Sequence, residues 1–220
     1  MIAERQIAFG KAAAKKEEPP AYWGLCFTAE AANSSVQLTA VGSPPAVTLV
    51  KSFDGINWEA YAVGEVIDLP STGDLVYLAA GEGGNESFGS STSEYHKFVI
   101  NGLVAASGDI TSLRRFDLEQ TTLAASCYAS MFNGCTGLTS APELPATKLA
   151  GFCYYSMFSG CINMALIKVY FTEWSSRTNI WVNGVSPTGT FICPTALGTN
   201  ETIKRGASYC PEGWTVINED

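Results

Sequence analysis

The side chains best suited to catalysis in this chain of 220 residues are one histidine and seven cysteines. His96 lies inside the apolar segment YHKFVI, which predicts a β-strand. A catalytic triad of the Ser-His-Asp or Cys-His type would have to be built on this single histidine. We interpret His96 instead as a strand residue at the surface or at a domain junction. The sequence therefore predicts no catalytic residue and no enzyme.

Four of the cysteines fall in two similar segments, CYASMFNGC (127–135) and CYYSMFSGC (153–161). Zinc sites typically use the spacing C-x2-C with further cysteines or histidines nearby, and this spacing is absent here. Repeated packing of small apolar side chains explains the cysteines better. We expect no metal and no cofactor, and we expect mainly buried free thiols. A disulfide between Cys193 and Cys210 remains an open alternative.

Two other segments resemble known site motifs. SFDGINW (52–58) predicts a hairpin, with Asp-Gly in the turn and Trp58 opening the next strand. Asp54 is then expected to stabilise its own turn. The glycine-rich segment 81–94 lacks the Gly-Lys-Ser/Thr end of a phosphate-binding loop, so it predicts a mobile polar loop.

Tyrosines in the two similar segments are the best candidates for binding. Aromatic faces stack on sugars and fill protein interfaces. Tyr128 and Tyr154 occupy equivalent positions, which favours a place in the core. Tyr155 replaces Ala129 of the first segment, and we predict that it makes a surface contact.

The composition excludes several classes of protein. Hydrophobic residues make up 46% of the chain and charged residues only 15%, which excludes disorder for most of it. Lys and Arg total 13 against 21 Asp and Glu, so nucleic-acid binding is not expected. No apolar run approaches the roughly 20 residues of a membrane helix, so we expect no membrane insertion. The N-terminal residues also lack the apolar core of a secretory signal.

The chain divides into four predicted segments: an arm (1–20), a β-sandwich (21–113), two repeats (114–167) and a C-terminal cap (168–220). Short β-branched and aromatic runs between turn residues predict the strands of the sandwich. These runs are SSVQLTAV, AVTLVKSF, WEAYAV, GEVIDL, GDLVYLAA and YHKFVING. The predicted fold class is mainly β.

The repeats follow an offset of 26 residues, from Cys127 to Cys153, which indicates a solenoid whose units bury their apolar faces against each other. Within each unit we expect a short helical segment that buries a Met-Phe pair. Gly134 and Gly160 are expected to turn the chain into a short strand. In the cap, we expect three aromatic residues to supply the apolar side chains: Trp181, Phe191 and Trp214.

The repeat CYxSMFxGCxxL with APELPATKLA resembles the BspA-like leucine-rich repeats of Bacteroidales surface proteins and of phages that infect these bacteria. SFDGINW (52–58), the segment 95–113 and the segments 181–191 and 213–216 are similar to other parts of this family. The resemblance covers roughly residues 22 to 217. It implies a leucine-rich-type solenoid and a surface-exposed binding role, and no reaction.

The family context suggests a phage virion protein, a head fibre, capsid decoration or tail-fibre component on the virion surface. Its N-terminal arm would dock on capsid or tail proteins, with Ile2, Ile7 and Phe9 as the apolar contacts. The remainder would be displayed for adhesion to a bacterial surface glycan or protein. We expect a homo-oligomer, a trimer by analogy. The alternative is a BspA-like adhesin on the bacterial cell surface that binds host protein or glycan.

Overall fold

The computed structural model describes residues 24–115, 123–174 and 176–220. These residues contain twelve β-strands and short 3-10 helices, and no α-helix. The prediction of a mainly β protein is confirmed. The predicted docking residues Ile2, Ile7 and Phe9 lie outside the described residues.

The strands form two sheets. In chain order they are β1 (Leu25–Ala29), β2 (Ser34–Val41), β3 (Leu49–Ser52), β4 (Glu59–Tyr61), β5 (Val66–Leu69), β6 (Leu75–Ala80), β7 (Tyr95–Asn101), β8 (Val104–Ser107), β9 (Leu138–Ser140), β10 (Leu166–Lys168), β11 (Thr190–Cys193) and β12 (Thr215–Asn218). One sheet has three strands in the order β5-β2-β7, and the other has nine in the order β12-β11-β10-β9-β8-β1-β6-β3-β4.

The two sheets pack against each other through alternating side chains. In β2, Val36 and Leu38 are buried while Gln37 between them is partly exposed, as expected for a strand with one face in the core. Across the interface, the rings of Phe27 in β1 and Phe98 in β7 lie 4.9 Å apart in an edge-to-face arrangement. The core therefore sits between the sheets.

Strand direction changes along the nine-stranded sheet. From β4 to β8 neighbouring strands are antiparallel, and from β8 to β12 they are parallel. Parallel neighbours need a long return connection outside the sheet, and here successive parallel strands begin 24 to 34 residues apart. The sheet continues across both predicted segment boundaries, since β8 and β9 lie on either side of residue 113 and β10 includes residue 167.

All six predicted runs contain a strand, β2 to β7, and the structure adds four strands that were not predicted: β1, β8, β11 and β12. Leu25 to Phe27 are all buried, so β1 lacks the alternation that marks a half-buried strand. The predicted hairpin is confirmed, since β3 and β4 pair in antiparallel fashion around Asp54 and Gly55.

The predicted short helices are wrong. Residues 125–134 and 151–160 form successive turns. The strands that follow Gly134 and Gly160 are present, and both glycines have positive φ, 75° and 80°.

The prediction of a purely polar loop at 81–94 is also wrong in part. Phe88 is 1% exposed, and the Asn85 side chain is buried. Its amide accepts from the Thr48 N–H at 2.8 Å and donates to the Leu113 carbonyl at 2.7 Å. The middle of segment 81–94 is therefore packed against and hydrogen-bonded to the rest of the fold.

Candidate binding surface

The turns of 125–134 and 151–160 stack on each other through backbone hydrogen bonds. Within a turn segment, alternate N–H groups donate three residues back, as Ala129 does to the Ser126 carbonyl at 3.1 Å. The N–H groups between them donate to the next segment, as Tyr128 does to the Cys153 carbonyl at 3.0 Å. Every second backbone donor thus links consecutive segments, which satisfies buried polar groups without a helix or sheet.

The second turn segment donates in the same way to residues 177–183. The Phe158 N–H bonds to the Trp181 carbonyl at 2.7 Å, and the Gly160 N–H bonds to the Asn183 carbonyl at 2.8 Å. We call residues 125–134, 151–160 and 177–184 the turn stack. Each of its three segments is followed in the chain by one parallel strand, β9, β10 or β11.

Left-handed backbone conformations recur every four residues in the turn stack. Ser126 and Ser130 have φ of 54° and 56°, and Phe152 and Ser156 have φ of 55° and 52°. Tight turns of this kind require positive φ at one central residue, which costs a residue with a Cβ atom on the order of 1–2 kcal/mol. A bulky side chain such as Phe152 is unusual in this conformation.

Buried aromatic rings form two columns through the turn stack. One column contains Phe98, Phe132 and Phe158, with ring centroids 5.1 and 5.5 Å apart. The other contains Phe88, Tyr128, Tyr154 and Trp181, with centroids 6.1 to 6.4 Å apart. The core positions predicted for Tyr128 and Tyr154 are confirmed, since both are fully buried.

Tyr155 lies on the outer side of the turn stack and is partly exposed. Its ring centroid is 6.1 Å from that of Phe152, in an edge-to-face arrangement. Phe152 is 51% exposed. The predicted binding residue therefore belongs to an exposed aromatic pair, whose second member the sequence analysis missed. The signal was available, because Phe152 stands where the first repeat has Ser126.

A second exposed aromatic residue projects from the β3–β4 turn. The Asp54 carboxylate accepts hydrogen bonds from the N–H groups of Ile56 and Asn57, both at 2.8 Å. These bonds hold the pKa of Asp54 well below its usual range. The predicted role of Asp54 in its own turn is confirmed. The turn leaves the neighbouring ring of Phe53 52% exposed.

Phe53 separates two shallow surface concavities of about 310 and 400 Å³. The first is lined by Lys51, Ser52, Phe53, Asp54, Asn57, Trp58 and Glu59. The second is lined by Phe53, Asp68, Leu69, Pro70, Gly73, Asp74 and Leu75. The ring of Phe53 lines both concavities, and each is open to solvent. We call these residues the Phe53 site.

Phe53 was not predicted as a candidate binding residue. The motif SFDGINW indicated the turn, but the β5–β6 connection that lines the second concavity comes beside Phe53 only in the folded chain.

The thiols and the histidine are unsuited to chemistry. All seven cysteines are buried and free, including Cys193 and Cys210, so the alternative of a disulfide is wrong. Burial raises the pKa of the Cys135 and Cys153 thiols to about 12. His96 is 3% exposed, in the core and not at the surface, and its ring nitrogen Nδ1 lies 3.1 Å from the Phe88 carbonyl oxygen. Burial lowers the pKa of His96, which favours the neutral ring.

In residues 24–115, 123–174 and 176–220, no three His, Cys, Asp or Glu side chains come together in a way that could hold a metal ion. The same residues include no helix of the length and apolarity needed to cross a membrane.

No protein-family model, curated protein or solved structure matches this chain.

Proposed function

We propose that this protein is a non-enzymatic phage virion component, a head fibre, capsid decoration or tail-fibre protein displayed on the virion surface. Residues 1–20 anchor it to capsid or tail proteins, and the remaining chain presents adhesive surfaces. Its architecture is a β-sandwich followed by a short leucine-rich-type solenoid and a C-terminal cap. The resemblance of the 26-residue repeat to BspA-like proteins of phages motivates this assignment.

One observation supports the proposal most strongly: a single nine-stranded sheet joins all three predicted segments after the arm. With neighbouring strands about 4.8 Å apart, such a sheet spans roughly 38 Å across. Buried residues of one cluster extend from Leu25 in β1 to Val216 in β12. A displayed component must resist shear and proteolysis, and a core that is continuous through the described residues suits that task.

The solenoid assignment is supported by the parallel strands and the turn stack. Ile167, Phe191 and Val216 pair in register across β10, β11 and β12, and all three are buried. Each chain segment of about 25 residues thus contributes one strand and one layer of turns, as a solenoid unit does. Two repeats alone bury too little surface to be stable. Here the first repeat also packs on Phe98 and the second on Trp181, so both ends of the repeat pair bury further apolar surface.

Exposed aromatic rings support the adhesive role. Phe53 and Phe152 are each about half exposed, at 52% and 51%, and rigid exposed rings are common anchors of binding surfaces. The same rings suit the alternative, an adhesin on the bacterial cell surface.

Deletion of residues 1–20 tests the anchoring role. Phage assembled with the truncated protein should lack it, while the purified truncated protein should keep the circular dichroism spectrum and melting temperature of the full chain. The full-length protein, supplied in the same way, is the control. Normal incorporation of the truncated protein would overturn the role of the arm.

A further inference from the structure

The backbone on either side of Phe53 is fixed by hydrogen bonds. Ser52 before it is 1% exposed, and its hydroxyl accepts from the Gly55 N–H at 2.9 Å. The Asp54 carboxylate fixes the other side of the turn. A turn held in this way loses little backbone entropy when a ligand binds, which favours affinity.

The ammonium group of Lys51 lies near the Phe53 ring. The Lys51 Nζ lies 5.9 Å from the centroid of Phe53. It is held there by Glu65, with which it forms a hydrogen bond, and by Glu59 at 3.4 Å. A second ammonium or guanidinium group on the ring would face repulsion from Lys51, which disfavours a basic peptide as the ligand.

Four carboxylates lie around the ring. Those of Asp54 and Glu59 border one concavity, and those of Asp68 and Asp74 border the other. Since the charge of Lys51 is offset by its two glutamates, these carboxylates repel anionic ligands. Asp54 and Asp74 already accept from backbone N–H groups of their own turns, and the remaining lone pairs of the four carboxylates can accept from neutral hydroxyl groups.

We propose that the Phe53 site binds a neutral carbohydrate. The apolar C–H face of a pyranose ring packs on Phe53, and the sugar hydroxyls donate to carboxylates in the two concavities. Concavities on both sides of one ring allow consecutive sugar units of a chain to be held. This inference deepens the proposed function, on which it rests for its biological role, by naming the ligand class of the adhesive surface.

Saturation-transfer NMR on the full chain tests this site with four neutral probes. These are the methyl glycosides of glucose, galactose, mannose and N-acetylglucosamine, each at millimolar concentration. We expect transfer to the ring C–H protons of at least one probe. Phe53→Ala should weaken that binding by tenfold or more, and Phe53→Trp, with a larger ring, should retain it.

Ile162→Ala is the matched control, because it removes an apolar side chain of similar exposure (57%) that lies outside both the Phe53 site and the turn stack. It should leave transfer unchanged, and both alanine variants should melt within a few degrees of the unaltered protein. The proposal is overturned if no neutral probe shows transfer, if Phe53→Ala retains it, or if only a lysine-rich peptide binds. These outcomes leave the virion assignment intact, since copy number in phage particles is measured separately.

Discussion

The Asn200 side chain bonds to both backbone groups of Val216 in the outermost parallel strand. Its Oδ1 accepts from the Val216 N–H at 2.8 Å, and its Nδ2 donates to the Val216 carbonyl at 3.1 Å. One amide therefore takes the place of a neighbouring strand at the edge of β12. Exposed sheet edges invite pairing with other chains, and Asn200 blocks this edge at its centre.

Replacement of Asn200 by alanine should expose the β12 edge. Two hydrogen bonds are lost, each contributing about 0.5–1.5 kcal/mol to the free energy of unfolding. Association beyond the protein's own oligomeric state should also increase with concentration. Urea unfolding and analytical ultracentrifugation measure the two effects.

Asn183→Ala provides the control for this variant, because Asn183 is an exposed asparagine whose hydrogen bonds in the described part of the chain are made by its backbone: the N–H donates to the Ile180 carbonyl and the carbonyl accepts from the Gly160 N–H. It should change neither quantity. An Asn200→Ala protein with unaltered stability and association would show that the amide does not protect the edge.

At position 152, we expect a glycine variant to be more stable than an alanine variant, which is the reverse of the usual order. The φ of 55° at Phe152 is easily adopted by glycine and costs alanine roughly 1 kcal/mol or more. Both substitutions remove the ring, so their difference isolates the backbone. We expect Phe152→Gly to be more stable than Phe152→Ala by about 1 kcal/mol in urea unfolding.

The corresponding pair at an ordinary exposed strand position, Val66→Gly and Val66→Ala, should show the usual order, with alanine more stable. If alanine is also more stable at position 152, the left-handed conformation of Phe152 is incorrect.

Asp54 should make the free energy of unfolding depend on pH in the acidic range. Its folded-state pKa lies below the value of about 3.9 for an unfolded chain. The ionised carboxylate therefore stabilises the fold fully above about pH 4, and this contribution is lost as the pH falls through the folded-state pKa. Asp54→Asn should be less stable than the unaltered protein at pH 6, and the difference should shrink at pH 2.5.

Urea unfolding midpoints of both proteins across this pH range measure the effect. A constant difference from pH 6 to pH 2.5 would mean that the charge of Asp54 does not stabilise the turn.

The cysteines should be unreactive in the folded protein. The thiolate is the reactive form, and a thiol with a pKa of about 12, such as Cys135 or Cys153, is almost fully protonated at pH 8. Ellman's reagent should therefore label essentially none of the seven cysteines in native protein and all seven in guanidinium. Fast labelling of native protein, mapped to residues 127–161, would contradict the packing of the turn stack.

The sequence predicted the mainly β class and the repeated packing, because strand runs and the 26-residue period are local patterns. It did not predict turns in place of helices. Cys127, Met131 and Cys135 recur every four residues, which is also helical spacing. The deciding factor is that the N–H groups of the even-numbered residues find acceptors in the next segment, a contact between residues 25 positions apart.

Candidate binding residues were predicted less well for a similar reason. Tyr155 was proposed from a comparison of the repeats and stays a prediction, and the role of Asp54 followed from its turn motif. Phe53 lines a concavity with the connection from Leu69 to Leu75, which lies beside it only in the folded chain.

The most direct test of the proposed function is quantitative peptide mass spectrometry on purified phage particles, with the major capsid protein as the internal reference. We predict that peptides of this chain are present in a fixed ratio to the capsid protein. Many copies per particle would indicate a head fibre or decoration, and a few would indicate the tail. Absence from particles, with recovery from bacterial envelopes, would contradict the virion assignment and favour the cell-surface adhesin.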